Sequence, residues 1–373
     1  MTDNTTMIIK YWGVRGSIPT PATTDDIRDK EIALLEGIIE NGGIEKALGK
    51  ALPSRTEIEQ YLASLPLSVS GTYGGDTTCV EVQAQDSPLI IIDAGTGPRR
   101  LGSKLIQRLF SKEGHLNPLN ADETTKRDMH IFLTHYHWDH IQGIPFFDPI
   151  FVPGDAKVNA HFYGKTNIRV RVSEVLAGQQ QFPNFPVEWQ HMPCDKEYVD
   201  VPRFGNYSIT LGKTTITSQE LTHPDSVFAY AVQLNTERDG RPYSKKFVFA
   251  TDNEHKDRPD PRLVNLARNA DVLYYDSQYT PDEYQGGNPQ AVTGALPKFD
   301  WGHSTYEWAV KNGLAANVKT VVMGHHEPKR NDFKIEELYG RANEFLENQL
   351  RLPENNGKKL DLLLAHQGME HRL

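Results

Sequence analysis

Cysteine is almost absent from this chain: Cys79 and Cys194 are its only two in 373 residues. Two thiols cannot build a disulfide framework, so the sequence reads as a protein of a reducing compartment, with a cytoplasmic location expected. Long apolar runs are missing as well. No stretch approaches the roughly 20 residues that a membrane span needs. The N-terminal Met1–Met7 is polar and has no apolar centre of the kind a secretory signal carries. Positive charge is not in excess, since 40 Lys and Arg stand against 49 Asp and Glu, for a net charge of −9. Proteins that grip long nucleic acids usually show basic stripes. The balance therefore disfavours a long nucleic acid as partner and favours a small substrate, although a local basic site can sit within an acidic whole. Internal repeats and low-complexity segments are also absent, so nothing points to a solenoid or a linker array.

What is present suits a large core. Hydrophobic residues make up 38% and charged residues 24% of the chain, which suggests one elaborated domain or two. Met7 to Trp12 reads as a first strand, ending in the turn Gly13-Val14-Arg15-Gly16-Ser17. Residues 22–68 differ in character. Ile32, Leu34, Leu35, Ile38 and Ile39 fall at helical spacing, as do Ile58, Tyr61, Leu62 and Leu65, so this stretch is expected to be a helical insertion. Strand signals resume at Thr77–Val82 and Leu89–Asp93.

From there one pattern recurs. Met129–Leu133 is a strand-like run followed by Thr134-His135. Thr214–Leu221 is followed by Thr222-His223, Phe247–Ala250 by Thr251-Asp252, and Thr320–Met323 by Gly324-His325. Four expected strands each end in a candidate metal ligand, and strand ends are where rigid elements present side chains into a crevice. Helices are expected at Pro261–Ala267, Thr305–Leu314 and Lys334–Gln349, and a last strand at Lys359–Ala365. Strands interspersed with helices predict an α/β fold.

The densest chemistry lies in His135-Tyr136-His137-Trp138-Asp139-His140. Imidazole and carboxylate are donors that zinc, iron and manganese accept. An i, i+2 pair at a strand end can aim two imidazoles at one centre, and a tight turn afterwards can send Asp139 and His140 toward a second. His223 and Asp252 join them through the strand-end pattern. His325 and His326 compete for the last position, and His325, closer to its strand, is preferred. Neither cysteine falls at a ligand position.

His135-x-His137-x-Asp139-His140, followed in order by His223, Asp252 and His325, resembles the metallo-β-lactamase superfamily. Within it the chain is similar to the branch of ribonuclease Z and the cyclic phosphodiesterases. Supporting stretches are Trp12–Ser17, Tyr73-Gly74-Gly75-Asp76-Thr77, Ile92-Asp93-Ala94-Gly95-Thr96-Gly97 and Gly302-His303-Ser304-Thr305. The resemblance covers nearly the whole chain apart from 22–68. It implies a single domain over 1–373, an αββα sandwich of two mixed sheets flanked by helices. It also implies two divalent metal ions, Zn²⁺ ahead of Mn²⁺ or Fe²⁺. By the same resemblance His135, His137 and His223 hold the first ion, Asp139, His140 and His325 the second, and Asp252 bridges both. Asp93 supports a ligand histidine from behind, and His303 acts as general acid or stabilises the transition state.

Such a site implies a metal-dependent hydrolase in which Asp139 and Asp252 set the charge of the centre and a metal-bridging hydroxide attacks. Two divalent ions less two carboxylates and a hydroxide leave about +1, a charge that attracts an anionic ester. With His303 in its motif, the substrate expected first is a small phosphodiester, a 3′,5′-cyclic nucleotide. A ribonuclease Z-like RNA 3′-end endonuclease is the alternative, with a lactonase or thioesterase of the same fold behind it. The 22–68 insertion is a candidate for homodimer contacts or for a roof over the site. Arg15, Arg99 and Arg100 are read as solvated charge ahead of contacts to substrate phosphate. Glu254 and His255, beside Asp252, are given no role.

Overall fold

The computed structural model describes residues 6–166, 170–203, 207–238 and 240–373. Met1–Thr5 of the polar N-terminal stretch lie outside them. The strands of the first half are β1 (Met7–Gly13), β2 (Cys79–Ala84), β3 (Leu89–Ile92), β4 (Asp128–Phe132), β5 (Asn159–Lys165) and β6 (Asp195–Val201). The second half supplies β7 (Ser208–Leu211), β8 (Thr214–Leu221), β9 (Val227–Arg238), β10 (Arg241–Ala250), β11 (Val272–Asp276), β12 (Thr320–Gly324), β13 (Asp361–Leu364) and β14 (Glu370–Arg372). Among the described residues these form two seven-stranded sheets, in the orders β14-β1-β2-β3-β4-β5-β6 and β13-β12-β11-β10-β9-β8-β7.

Each sheet is half antiparallel and half parallel. β1, β2 and β3 pair antiparallel, then β3 through β6 run parallel. β7 through β10 pair antiparallel, then β10 through β13 run parallel. The sequence explains the division. β1 alternates, with Met7, Ile9 and Tyr11 fully buried and Ile8 and Lys10 partly exposed. β11 and β12 are apolar runs buried on both faces, as parallel strands covered by helices must be.

Three apolar layers result. Between the sheets, Tyr11, Val80, Ile90 and Phe132 of the first meet Tyr230, Phe247, Phe249 and Tyr274 of the second. Each such side chain contributes roughly 1.5–3 kcal/mol by leaving water, so this layer holds the two halves together. Outside the first sheet, Leu101 and Leu105 of helix Pro98–Leu109 cover Ile91 and Ile131. Outside the second, Leu263, Val310, Leu314, Ile335 and Leu338 cover Val248, Leu273 and Val321. The architecture is the αββα sandwich expected.

Helices Thr24–Glu40, Ile44–Leu48 and Arg55–Ser64 fall within residues 22–68, and Leu67–Ser70 begins there. Capping boxes start two of them, Thr23 with Asp26 and Ser54 with Glu57. The helical spacing is realised, but the apolar stripe of Thr24–Glu40 does not turn inward: no residue of that helix is buried. Its anchor is polar. Lys30 Nζ lies 2.5 Å from Asp332 Oδ2 and donates to the Gly71 carbonyl at 2.6 Å. Asp332 also pairs with Arg15, at 3.4 Å.

That pairing corrects the reading of Arg15 as solvated charge. The side chain is 3% exposed, and its Nε donates to the Gly74 carbonyl at 2.8 Å and its Nη1 to that of Arg330 at 2.7 Å. A guanidinium tolerates burial when its N–H groups are satisfied and a carboxylate balances its charge. Arg99 and Arg100 are exposed, Arg100 beside Asp76 at 3.1 Å. Among the described residues, no helix is long and apolar enough to cross a membrane.

Candidate metal centre

β4, β8, β10 and β12 end at one edge of the sandwich, and the turns after them carry the donors. His135, His137 and His223 each bring a donor atom within 4.8 Å of the others. Asp139, His140, Asp252 and His325 form a second such group, buried throughout. Asp252 lies between the two. Its Oδ2 is 3.7 Å from His135 Nε2, and its Oδ1 is 3.3 Å from His140 Nε2 and 3.2 Å from His325 Nε2. Asp139 Oδ2 is 3.2 Å from His140 Nε2 and 3.3 Å from His325 Nε2. An ion bound tetrahedrally at about 2.0–2.1 Å sets its donors roughly 3.3 Å apart, so the second group has the spacing of a ligand shell. Buried His135 Nε2 and His140 Nε2 have no hydrogen-bond partner. Polar atoms in such places are normally satisfied, and a divalent cation satisfies both. The seven residues singled out from sequence thus sit together, and they fit two metal ions.

Neighbouring groups aim these donors. Asp93, fully buried, accepts from His140 Nδ1 at 2.8 Å, from the Thr134 backbone N–H at 2.8 Å and from the Thr134 hydroxyl at 2.9 Å. The first contact puts the His140 proton on Nδ1 and leaves Nε2 free as a donor atom. The Ser17 backbone N–H donates to Asp139 Oδ2 at 2.7 Å, so the turn after β1 also serves the centre. Asp93, Asp252 and His325 all have positive φ, at 59°, 48° and 58°. Non-glycine residues hold that conformation at a cost of order 1–3 kcal/mol, repaid here by the contacts around the turns.

The electrostatics follow from burial and charge. Burial pulls the His135 pKa well below the usual histidine value, and it lowers His223 to about 3. Around His140 burial opposes a positive charge, but Asp139, Asp252 and Asp93 outweigh it, so the surroundings of Nε2 favour a cation. His303 behaves likewise. Burial works against its charge, and Asp276, Asp252 and Asp139 hold it up at about 9.

His303 lies at the rim of the donor groups, with its ring centroid 5.0 Å from that of His325. Its Nδ1 is 2.9 Å from Asp276 Oδ2 and 3.9 Å from Asp252 Oδ2. Gly302 before it has φ +88°, and a Cβ there would meet His223 Cδ2 at 2.1 Å, so only glycine lets this turn close over the centre. Sequence reasoning missed Asp276, although β11 reads Val-Leu-Tyr-Tyr-Asp, one more apolar run ending in a carboxylate. It also left Glu254 without a role. Glu254 accepts from Tyr284 Oη at 2.6 Å, Asp300 N–H at 2.7 Å and Gly302 N–H at 3.0 Å, and so braces the loop that presents His303. His326 points elsewhere: it is buried and its Nε2 sits 2.8 Å from the Ala365 carbonyl. His255 stacks on Trp308, outside the donor groups.

A cavity of about 490 Å³ opens beside the centre, lined in part by His135, His137, Trp138, Lys165, Gln179 and Asp225. Lys165 Nζ donates to the Ser226 carbonyl at 2.9 Å and to that of Asp225, tying down the turn after β8. Asp225 Oδ2 faces His137 Nε2 at 3.5 Å.

An αββα sandwich that gathers seven His and Asp donors at the ends of its strands defines a metal-dependent hydrolase. A family profile described as "Beta-lactamase superfamily domain" matches residues 89–326, and the chain belongs to that family. It is 24% identical over 307 residues to a protein named ribonuclease Z from Archaeoglobus fulgidus, a match covering 68% of this chain and 86% of that one. Among solved structures it resembles Zn²⁺-bound PqqB from Methylobacterium extorquens, with TM-score 0.56 at 13% identity over 98% of this chain and 100% of the other. It also resembles a structure described as a new diphosphatase from the PhnP family, with TM-score 0.52 at 16% identity over 98% of each chain.

Proposed function

We propose that this protein is a di-metal phosphodiesterase that hydrolyses a small phosphodiester, with a 3′,5′-cyclic nucleotide as the first substrate to test. The observation that carries the reading is the His303–Asp276 pair, a buried imidazole whose Nδ1 lies 2.9 Å from a buried carboxylate beside the donor groups. His135, His137 and His223 would hold one ion and Asp139, His140 and His325 the other, with Asp252 between them and Zn²⁺ the ion proposed. When bound, the ions supply Lewis-acid charge and lower the pKa of water toward neutrality.

The chain's own residues do the rest. His303 would hold the ester's leaving oxygen through Nε2–H and give it a proton, Nδ1 being engaged by Asp276. Asp276 orients that imidazole through Nδ1 and sets a negative charge beside it. The turn of Gly302, braced by Glu254, keeps it against His223. A cavity of about 490 Å³ lies within the range typical of small-ligand sites. Trp138, 63% exposed at its edge, offers a flat face to a nucleobase, and such stacking contributes about 1–3 kcal/mol. The chain's net charge of −9 supports a small substrate over a long polyanion.

A second reading is an RNA 3′-end endonuclease. It is favoured by the relatives named ribonuclease Z and ribonuclease BN, which are 22–24% identical to this chain. One panel separates the readings: metal-loaded protein with cyclic mononucleotides, a generic phosphodiester, precursor tRNA and a lactone. Turnover of the cyclic mononucleotides is expected. Cleavage of precursor tRNA with cyclic nucleotides left intact supports the endonuclease, and turnover of the lactone alone removes phosphoryl chemistry altogether.

A further inference from the structure

His325 enters the second donor group from a turn that has just left the β-ladder. β11 and β12 pair in parallel register as far as Asp276 and Gly324, and Ser277 N–H donates to the Gly324 carbonyl at 3.1 Å. The next residue, His325, takes φ +58°. Its backbone N–H donates to a side chain, the Tyr274 hydroxyl, at 2.8 Å. Tyr274 stands on β11 two positions before Asp276, in the layer between the sheets. Its ring passes close over Gly324, where a Cβ would lie 2.1 Å from Tyr274 Oη. Glycine at this position is what lets the hydroxyl reach the ligand turn.

The contact bears on the metal donors for three reasons. His325 and Tyr274 are both fully buried, so no water takes the place of a lost acceptor, and an orphaned buried N–H is costly. A left-handed turn is itself unfavourable for a residue other than glycine, so it persists only while its contacts hold it. The turn also decides where the imidazole lies. His325 Nε2 stands 3.2 Å from Asp252 Oδ1 and 3.3 Å from Asp139 Oδ2, and metal ligation tolerates displacements of only about 0.2 Å. Tyr274 is well placed to fix that geometry. Its ring stacks on Phe249 and on Tyr11, with centroids 4.6 Å and 5.8 Å away.

We infer that Tyr274 is a positioning residue for the second metal ion: its hydroxyl holds the His325 main chain in the left-handed turn that aims Nε2 at the site shared with Asp139, His140 and Asp252. His135, His137 and His223 stand on the turns after β4 and β8 and do not depend on it. The inference rests on the metal reading of the donor groups and is independent of which ester is hydrolysed.

The test compares Tyr274→Phe with Tyr11→Phe in the full chain. Each removes one buried oxygen from a stacked ring of the same layer, but the Tyr11 hydroxyl has no hydrogen-bond partner among the described residues. Zn²⁺ affinities are measured against a chromophoric chelator, and Co²⁺ loading is followed by visible absorption. Wild type and Tyr11→Phe are expected to bind two ions alike. Tyr274→Phe should bind the first ion as tightly and the second about 10–100-fold more weakly, the usual effect of removing a group that orients a ligand. The Co²⁺ spectrum should change only as the second ion enters. Hydrogen exchange on the metal-free chains gives a reading that needs no ion: the His325 amide should exchange about 10-fold faster or more in Tyr274→Phe, and not in Tyr11→Phe. Equal second-ion affinity in the two variants overturns the inference, and so does unchanged exchange at His325. Fewer than two ions on wild type would remove the di-metal reading instead, while the exchange measurement still decides whether Tyr274 holds the turn.

Discussion

His303 Nδ1 and Asp276 Oδ2 lie 2.9 Å apart at the rim of the candidate centre, the histidine from the turn before helix Tyr306–Ala316 and the aspartate from the end of β11. The pair occupies Nδ1 and leaves Nε2 as the nitrogen free to meet a substrate, and the carboxylate favours a positive charge on the ring. On the proposed reading it makes His303 a proton donor, while with Asp252 and His325 the same two residues also bring donor atoms within 4.8 Å of one another.

His303→Ala is therefore expected to lower kcat by about 10²–10⁴-fold, the usual contribution of a positioned general acid, while the protein keeps its metal. Asp276→Asn should lower kcat by roughly 10–100-fold with a smaller change in KM, since it removes the charge that sustains the imidazolium and keeps the ring in place. The check is steady-state kinetics on a phosphodiester alongside metal analysis. Full turnover by metal-replete His303→Ala would remove the histidine from the mechanism.

Stripping the metals should abolish hydrolysis and lower Tm, because seven donors that include buried aspartates lose the cations that offset them. Ligand at 100 times its Kd stabilises the native state by about 2.7 kcal/mol per site. Readdition of Zn²⁺ or Mn²⁺ should restore both properties. Full activity at less than one metal per chain would sink the di-metal reading.

Gly302→Ala tests how closely the His303 loop approaches His223. The substitution places a Cβ 2.1 Å from His223 Cδ2 at a φ of +88°. Gly294→Ala is the matched control, with φ +78° and open space around the new Cβ. Both carry the left-handed backbone penalty of about 1–2 kcal/mol. Only Gly302→Ala should also weaken metal binding, by about 10-fold or more in a competition assay with a chromophoric chelator. Equal metal affinity in the two variants would show that the loop moves freely.

His255 gives the stability curve an acid limb. Burial, helped by Lys311, lowers its pKa to about 4 in the folded protein, against about 6.5 in an unfolded chain. Between those values the unfolded state binds more protons. Its contribution is thus complete above about pH 6.5 and declines as pH falls toward 4. His255→Phe keeps an aromatic ring against Trp308 and Tyr284 and should flatten Tm against pH across that window. A Tm difference between the two proteins that stays constant with pH contradicts this account.

Much of the architecture was legible in the residues. β8 and helix Pro261–Ala267 fall on the residues read as strand and helix, and β4 and β12 within one residue of them. Those segments have clear periodicity or end in chemically conspicuous side chains. β9 was not seen, because Val227–Leu234 is mostly buried on both faces and shows no alternation. β6 was not seen because its edge position leaves it polar, Asp-Lys-Glu-Tyr-Val-Asp-Val.

The donor set was legible for the same reason. An apolar run followed by His or Asp is a local pattern, and a covalent chain fixes the order and spacing of its residues without any folding. What the sequence could not decide was which distant side chains meet. Asp276 becomes the partner of His303, Asp332 gathers Arg15 and Lys30, and His130 stacks on His161 only when strands remote in sequence are laid side by side. Burial belongs to the same category. Arg15 and Glu254 carry ordinary charges in sequence, and only the closed sandwich turns one into a buried anchor and the other into the brace of the loop that carries His303. Local chemistry is written residue by residue, whereas desolvation and pairing depend on the packing of the whole.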